Sequence, residues 1–219
     1  MSLDYSRIIP YLPLLKSGIL MTVKFTVWST ILGFAWGVLL SLVKISPFKP
    51  LAWFGKFYTS FFRGTPLLVQ LMLIYFATPQ LTGYNISALQ AGVLAFGLNS
   101  AAYISESIRG GILSVDKGQR EAALALGVSK FRIMKDIILP QAFKTILPTL
   151  VNESISLLKD SSLVAVIGVG DTLRWAQQVQ AKTFRAFEAF IVAALVYYVM
   201  VMLLTIIGGY LERRARVSD

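Results

Sequence analysis

Apolar positions along this chain gather into long runs rather than alternating, and a helix that crosses a bilayer needs about 20 mostly apolar residues. Residues 17–43 form the first run, with Lys24 as its lone charge. A second run covers residues 57–78 and is interrupted by Arg63, and a third covers 86–108. Residues 137–158 are the least regular, because they hold Pro140, Lys144, Pro148, Asn152 and Glu153. The last run, 187–211, is apolar apart from Glu188. The pattern predicts an all-α integral membrane protein with five transmembrane helices in one domain, 1–219. The first run is too long for the core of a cleavable signal and lacks a small-residue cleavage site, so it is expected to stay as an anchor. The segment before it, residues 3–16, is amphipathic and broken by proline, and is read as an interfacial lead-in.

Composition narrows the classes. Hydrophobic residues make up 56% and charged residues 15% of the chain, against about 25% charged in an ordinary soluble domain. Such an apolar excess needs a lipid-facing exterior, which excludes an ordinary soluble enzyme. With neither cysteine nor histidine, thiolate chemistry, imidazole acid–base catalysis and His-ligated metal sites are excluded as well. The chain is expected to move something rather than transform it, with no cofactor of its own.

The net charge of +10 follows the positive-inside pattern. Lys44, Lys49, Lys56 and Arg63 crowd one connection. Arg109, Lys117, Arg120, Lys130, Arg132 and Lys135 crowd another, and Arg213, Arg214 and Arg216 the tail. The intervening connection 77–85 carries no charge. The predicted orientation puts the amino terminus outside and the carboxy terminus inside. The outer connection 159–186 fits less well, with Lys159, Arg174, Lys182 and Arg185 only partly offset by Asp160 and Asp171.

The cytoplasmic connection 109–136 has helix punctuation. Asp116 can cap a helix, with Gln119 completing a capping box. The run from Glu121 to Leu126 favours helix, Gly127 offers a left-handed stop, and Ser129 can cap a second helix running toward Pro140. A capped helix ending at a glycine turn makes a rigid, exposed elbow. Within it, Glu121, Ala122 and Ala123 are followed after three residues by Gly127, after nine more by Ile137, and then by Leu139 and Pro140.

That spacing resembles the permease loop of ATP-binding-cassette importers at every fixed position. The stretches RGTPLLVQLMLIYF (63–76), SAAYISESIRGGILSVDKGQREAALALG (100–127) and ILPTLVNESISLLKDSSLVAVIGVGD (146–171) are similar to permeases of the polar amino-acid branch, which serves histidine, glutamine and arginine. The resemblance implies a type I importer permease fold in the bacterial cytoplasmic membrane. It also implies a second permease subunit, identical or related, cytoplasmic ATPase subunits that bind the ATP, and an extracytoplasmic substrate-binding protein. Coupling to the ATPases would fall to Glu121, Ala122, Ala123, Leu126 and Gly127. The chain has no phosphate-binding loop of the Gly-rich, Lys-Ser/Thr kind, so it is not expected to be an enzyme.

Ionisable groups at membrane depth are costly and mark functional sites. Gln141, Lys144, Pro148, Asn152 or Glu153, Ser156 and Asp160 recur at helical spacing and share a face. An amino acid brings an ammonium that wants a carboxylate, which Glu153 suits, while Asp160 could meet a cationic side chain. Its carboxylate wants donors, and Asn99, Gln70, Ser161 and Ser162 are candidates. Helix-to-helix hydrogen bonding competes for Asn99 and Gln70, a salt bridge to Lys144 competes for Glu153, and Glu106 is read as an i,i+3 partner of Arg109. Gly168 and Gly170 permit a sharp turn in an outer gate, before a helix that Asp171 can cap; a simple outer cap is the alternative. Arg174, Gln177 and Gln178 beyond it could touch the binding protein. The function read from all this is transport of a polar L-amino acid, with basic ones among the candidates, by alternating access. Cystine or another amino acid as cargo, and an ion-driven secondary carrier, are the competing readings.

Overall fold

The computed structural model describes residues 4–216, and all its regular elements are helical. Leu3, where the expected lead-in begins, and both ends of the 1–219 domain lie outside the described residues. The long helices are α1 (Leu12–Lys44), α2 (Lys49–Gly64), α3 (Leu67–Thr82), α4 (Ala88–Ser114), α7 (Leu139–Asp160) and α9 (Ala186–Arg216). Between them lie the short α5 (Lys117–Ala125), α6 (Lys130–Arg132) and α8 (Thr172–Thr183).

The bundle is organised around α4, which packs most extensively on α1 and then on α7. In lipid, apolar side chains gain little by meeting each other, so small residues that let backbones close in decide which helices pair. Gly33 and Gly37 on α1 sit against Ser100 and Ile104 of α4, and Gly97 of α4 sits against Leu32. The opposite side of α1 exposes Leu20, Val27, Ile31 and Leu39. Above this seam, Phe25 and Phe96 meet edge to face with centroids 4.9 Å apart, within the main core cluster.

By length and apolarity two helical segments among the described residues qualify as membrane crossings, Ile9–Lys44 and Ala186–Ala215, and a third if α2 and α3 count as one broken span. Helices α4 and α7 occupy the positions of two further expected spans but fall short of that apolarity. For α4 the reason is its place: much of its surface faces other helices, so lipid does not dictate its composition. The expected span 57–78 is not one helix. It breaks at Thr65 and Pro66, and the two halves are bent by 104°. Proline lacks the N–H that would continue α2 and forces the preceding residue extended, and Thr65 has φ −119° and ψ 145°.

The lead-in is docked rather than merely interfacial. Ile8 and Leu15 are buried against Trp175, Val179 and Ala189, and the Trp175 indole donates to the Tyr11 carbonyl at 2.8 Å. The Asp4 amide donates to Glu188 at 3.1 Å. The Ser6 hydroxyl and amide, both donating to the Asp4 carboxylate, hold its pKa below the ordinary value. Because that pKa is lowered on folding, this clasp is intact at neutral pH and weakens as pH falls through the lowered value.

Packing on α1 is directly testable. A Cβ at Gly37 would lie 2.7 Å from the Ile104 side chain, whereas one at Gly64 would meet nothing within 4 Å. Gly37→Ala should therefore cost about 1–3 kcal/mol through overpacking, read as a lower melting midpoint in detergent, while Gly64→Ala should leave the midpoint in place.

Candidate functional site

Two regions carry the chemistry: the polar face of α7 and the elbow that precedes it. The elbow forms because Asp116 caps α5, accepting from the Gly118 amide at 2.7 Å. Gln119 takes no side-chain part in that cap, so the expected capping box is not made. At the other end Gly127 has φ +74°, and the Val128 amide reaches back to the Ala123 carbonyl at 3.0 Å. Glu121, Ala122 and Leu126 face outward, Leu126 with 83% of its surface exposed. Ala123, by contrast, is buried against Ile133 and Ile138. It fastens α5 to its own chain and faces away from the side that presents Glu121, Ala122 and Leu126. The helix expected to run from Ser129 toward Pro140 passes instead through a π-helical stretch, Ile133–Ile138, into α7. Pro140 lacks an amide and crowds the carbonyl four residues back, and a widened turn relieves that crowding.

On α7, Glu153 is half-buried and Asp160 is exposed, seven residues apart on one face and so about 10 Å apart along the axis. Among the described residues no Lys or Arg lies within ion-pair distance of either carboxylate, and Glu153 is not bridged to Lys144. The Glu153 carboxyl stands toward the Ser100 hydroxyl of α4, which is buried and makes no hydrogen bond of ordinary geometry. Asp160 precedes the 3-10 turn Ser161–Ile167 but its carboxyl does not cap it. Among the described residues neither acid is thus held in an ion pair, and the cation adjoining Asp160 is its chain neighbour Lys159.

The expected donors are occupied elsewhere. Gln70 is 3% exposed, and its amide donates to the Phe62 carbonyl at 2.9 Å and the Thr65 hydroxyl at 2.8 Å. Asn99 donates to the same Phe62 carbonyl and to Gln70 Oε1, both at 3.0 Å. Together they satisfy backbone freed by the α2–α3 break. Ser161 is fully buried, and its hydroxyl donates to the Leu158 carbonyl at 2.7 Å. Ser162 likewise donates to the Lys159 carbonyl at 3.0 Å. These four hold backbone in place and are not brought together with Glu153 as open donors.

In the expected gate, Gly168 has φ +86° and ends the 3-10 turn; Gly170 has no such constraint. The segment is a core element rather than a loose cap, since Val164, Ile167 and Val169 pack with Phe25, Phe96 and Leu157. Asp171 caps α8 as expected, accepting from the Arg174 amide at 2.8 Å. Arg174 and Gln177 beyond it are partly covered, and Gln178 is exposed.

Sequence reasoning missed several polar contacts. The Tyr197 hydroxyl donates to Asp171 at 2.9 Å. The Thr22 and Thr172 hydroxyls meet at 3.0 Å. Lys44, counted as a loop charge, is buried, donating to Ser105 at 3.0 Å and pairing with Glu106. The expected Glu106–Arg109 pair is also present at 2.7 Å. The alternation of small and polar residues on α1 marks its buried face, yet nothing local identifies partners 60 or 150 residues away.

Comparison with known proteins places this geometry. Residues 29–217 match the family described as the binding-protein-dependent transport system inner membrane component. The chain is 52% identical, over the full length of both, to the arginine transport system permease protein of Bacillus subtilis (strain 168). It is 49% identical to the putative glutamine transport system permease protein of Rickettsia bellii (strain RML369-C), covering 95% of this chain and 96% of that one. Among solved structures, an amino acid ABC transporter crystallised with histidines superposes with a TM-score of 0.93 at 44% identity, covering 98% of this chain and 100% of that one.

The amide pair at the break generates a prediction about stability in the absence of any cargo. Asn99→Leu leaves Gln70 Oε1 without its donor and weakens the hold on the Phe62 carbonyl, a loss of about 1–3 kcal/mol. The cargo-free melting midpoint should fall; an unchanged midpoint would return Asn99 to the list of open ligands.

Proposed function

The chain belongs to the family of binding-protein-dependent transport system inner membrane components, and on that premise we propose that it carries a polar L-amino acid, basic ones included, by alternating access. It is a multi-pass inner-membrane permease of the amino-acid ABC importer class, and a transport subunit rather than an enzyme. The observation that carries the cargo reading is the pair Glu153 and Asp160, two carboxylates on one face of α7 that no Lys or Arg among the described residues engages in an ion pair. An ionised carboxylate at such depth is destabilised unless charge of the opposite sign comes close. A cargo ammonium at Glu153 and a cationic side chain at Asp160 supply that charge and leave with the cargo. The arginine and glutamine systems named among the relatives support a cargo of this kind. In this reading Asn99, Gln70 and Ser161 frame the pathway by holding its backbone.

Fuel comes from other chains. Cytoplasmic ATPase subunits bind ATP and grip the outward side of α5, where Glu121, Ala122 and Leu126 are presented, and Gly127 keeps the elbow stiff. A second permease chain completes the pathway, and an extracytoplasmic binding protein delivers cargo at the opposite end, with the amino terminus outside. Closure of the ATPases moves the elbow, the spans open outward, and hydrolysis resets them. The segment around Gly168 then forms part of the outer gate.

Two experiments test this. In proteoliposomes holding the whole complex, Glu153→Gln and Asp160→Asn should each raise the apparent KM for arginine about tenfold, the worth of one charge-assisted hydrogen bond. If both variants transport arginine and glutamine as the wild type does, the cargo site is misassigned. Gly127→Pro should insert into the membrane normally yet uncouple ATP hydrolysis from uptake, and normal coupled uptake would remove the elbow from the mechanism.

A further inference from the structure

Helix α2 has three distinct faces. Gly55, Tyr58 and Thr59 are buried, with Tyr58 packed against Leu40 of α1 and Ala102 of α4. Trp53, Phe57 and Phe61, spaced four apart, form a stacked ladder with ring centroids 5.7 Å and 6.4 Å apart, and they are 68%, 55% and 46% exposed. Lys49, Lys56 and Arg63, spaced seven apart, make an exposed basic strip. At about 100° per residue, Ser60 falls between strip and ladder, so the two adjoin.

Beside the strip lies a cleft of about 500 Å³ whose lining includes Lys56, Ser60 and Arg63 of α2 and Tyr103 and Glu106 of α4. Its one carboxylate is already engaged on both oxygens. Lys44 pairs with Glu106 Oε1, and Arg109 donates to Oε2 at 2.7 and 2.9 Å. Glu106 is thus already matched by two cations, and among the described residues it pairs with neither Lys56 nor Arg63. The Arg63 guanidinium lies 5.2 Å from the centre of the Tyr103 ring, and among the described residues it donates no hydrogen bond and joins no ion pair. Lys44, Lys56, Arg63 and Arg109 thus surround a single acid, leaving an excess of three positive charges around this cleft.

We propose that the cleft between α2 and α4 holds the phosphate of an anionic phospholipid of the cytoplasmic leaflet, with an acyl chain along the Trp53–Phe57–Phe61 ladder. A guanidinium fork matches phosphate oxygens two at a time. Basic pockets between membrane helices on the cytoplasmic side recognise such headgroups, and the anionic leaflet supplies them. The adjoining ladder decides for a lipid over a soluble anion, because free phosphate or a cargo carboxylate has no use for three exposed rings. The inference rests on the orientation proposed above, with the basic connections inside, and is independent of which cargo is carried.

The test is lipid retention by the purified full chain in detergent, measured by native mass spectrometry after incubation with phosphatidylglycerol or phosphatidylcholine. The wild type should retain phosphatidylglycerol preferentially. Arg63→Gln and Lys56→Gln should each lower that preference about fivefold, the value of one basic residue at a lipid surface. Trp53→Ala should lower retention of both lipids, and Lys117→Gln on the elbow should change neither. Lys56 is exposed, so its variant keeps the test decisive if Arg63→Gln fails to fold. An unchanged preference in Lys56→Gln would overturn the proposal. Displacement of phosphatidylglycerol by millimolar inorganic phosphate would overturn it by assigning the cleft to a soluble anion, and displacement by millimolar arginine would do so by assigning it to cargo.

Discussion

Inside an apolar layer each backbone carbonyl and amide freed by a break must find a partner within the protein, since water is not there to supply one. The polar architecture of this chain follows largely from that requirement. Pro66 breaks the segment between α2 and α3, and Gln70 and Asn99 converge on the Phe62 carbonyl that the break releases. Pro140 lies where the elbow enters α7, and a π-helical stretch absorbs it. The start of α8 is closed by a fully buried aspartate that also holds a tyrosine hydroxyl. The break before α3 and the start of α8 are stitched by side chains brought from elsewhere in the chain, Asn99 in the one case and Tyr197 in the other.

Against this economy of satisfied groups, the charges divide into two kinds. Glu106, Glu188 and Asp171 are fully employed in ion pairs, caps and hydrogen bonds. Glu153 and Asp160 stand on one face of α7 with no ion-pair partner among the described residues. A half-buried charge such as that of Glu153, left unmatched, is destabilising and persists where function supplies the missing partner. The same contrast holds with the sign reversed along α2, where Lys56 and Arg63 outnumber the acid that could answer them.

The elbow is stiff for reasons that are local at one end and tertiary at the other. Asp116 and Gly127 bound α5 by their own backbone chemistry. Ala123 then pins the helix onto Ile133 and Ile138, so that a push on its outer side is delivered to the base of α7. The helix that carries Glu153 and Asp160 is thus the direct continuation of the elbow.

Much of this was legible from one-dimensional pattern. Runs of apolar residues located the helices, the caps at Asp116 and Asp171 were visible because capping depends on a few adjacent residues, and the spacing from Glu121 to Pro140 marked the elbow. The carboxylates of α7 stood out because helical periodicity aligns them on one face. What the tertiary structure alone decided was the employment of each polar group. Gln70 and Asn99 looked like ligands until their donors were found on the Phe62 carbonyl; Ala123 looked like contact surface until its side chain was found facing inward. Lys44 read as a loop cation and is a buried partner of Glu106. Periodicity reports which side of a helix a residue occupies, but not which helix stands opposite. Whether a polar group is open or already satisfied depends on atoms dozens of residues away, and only the packed bundle brings them within hydrogen-bonding distance.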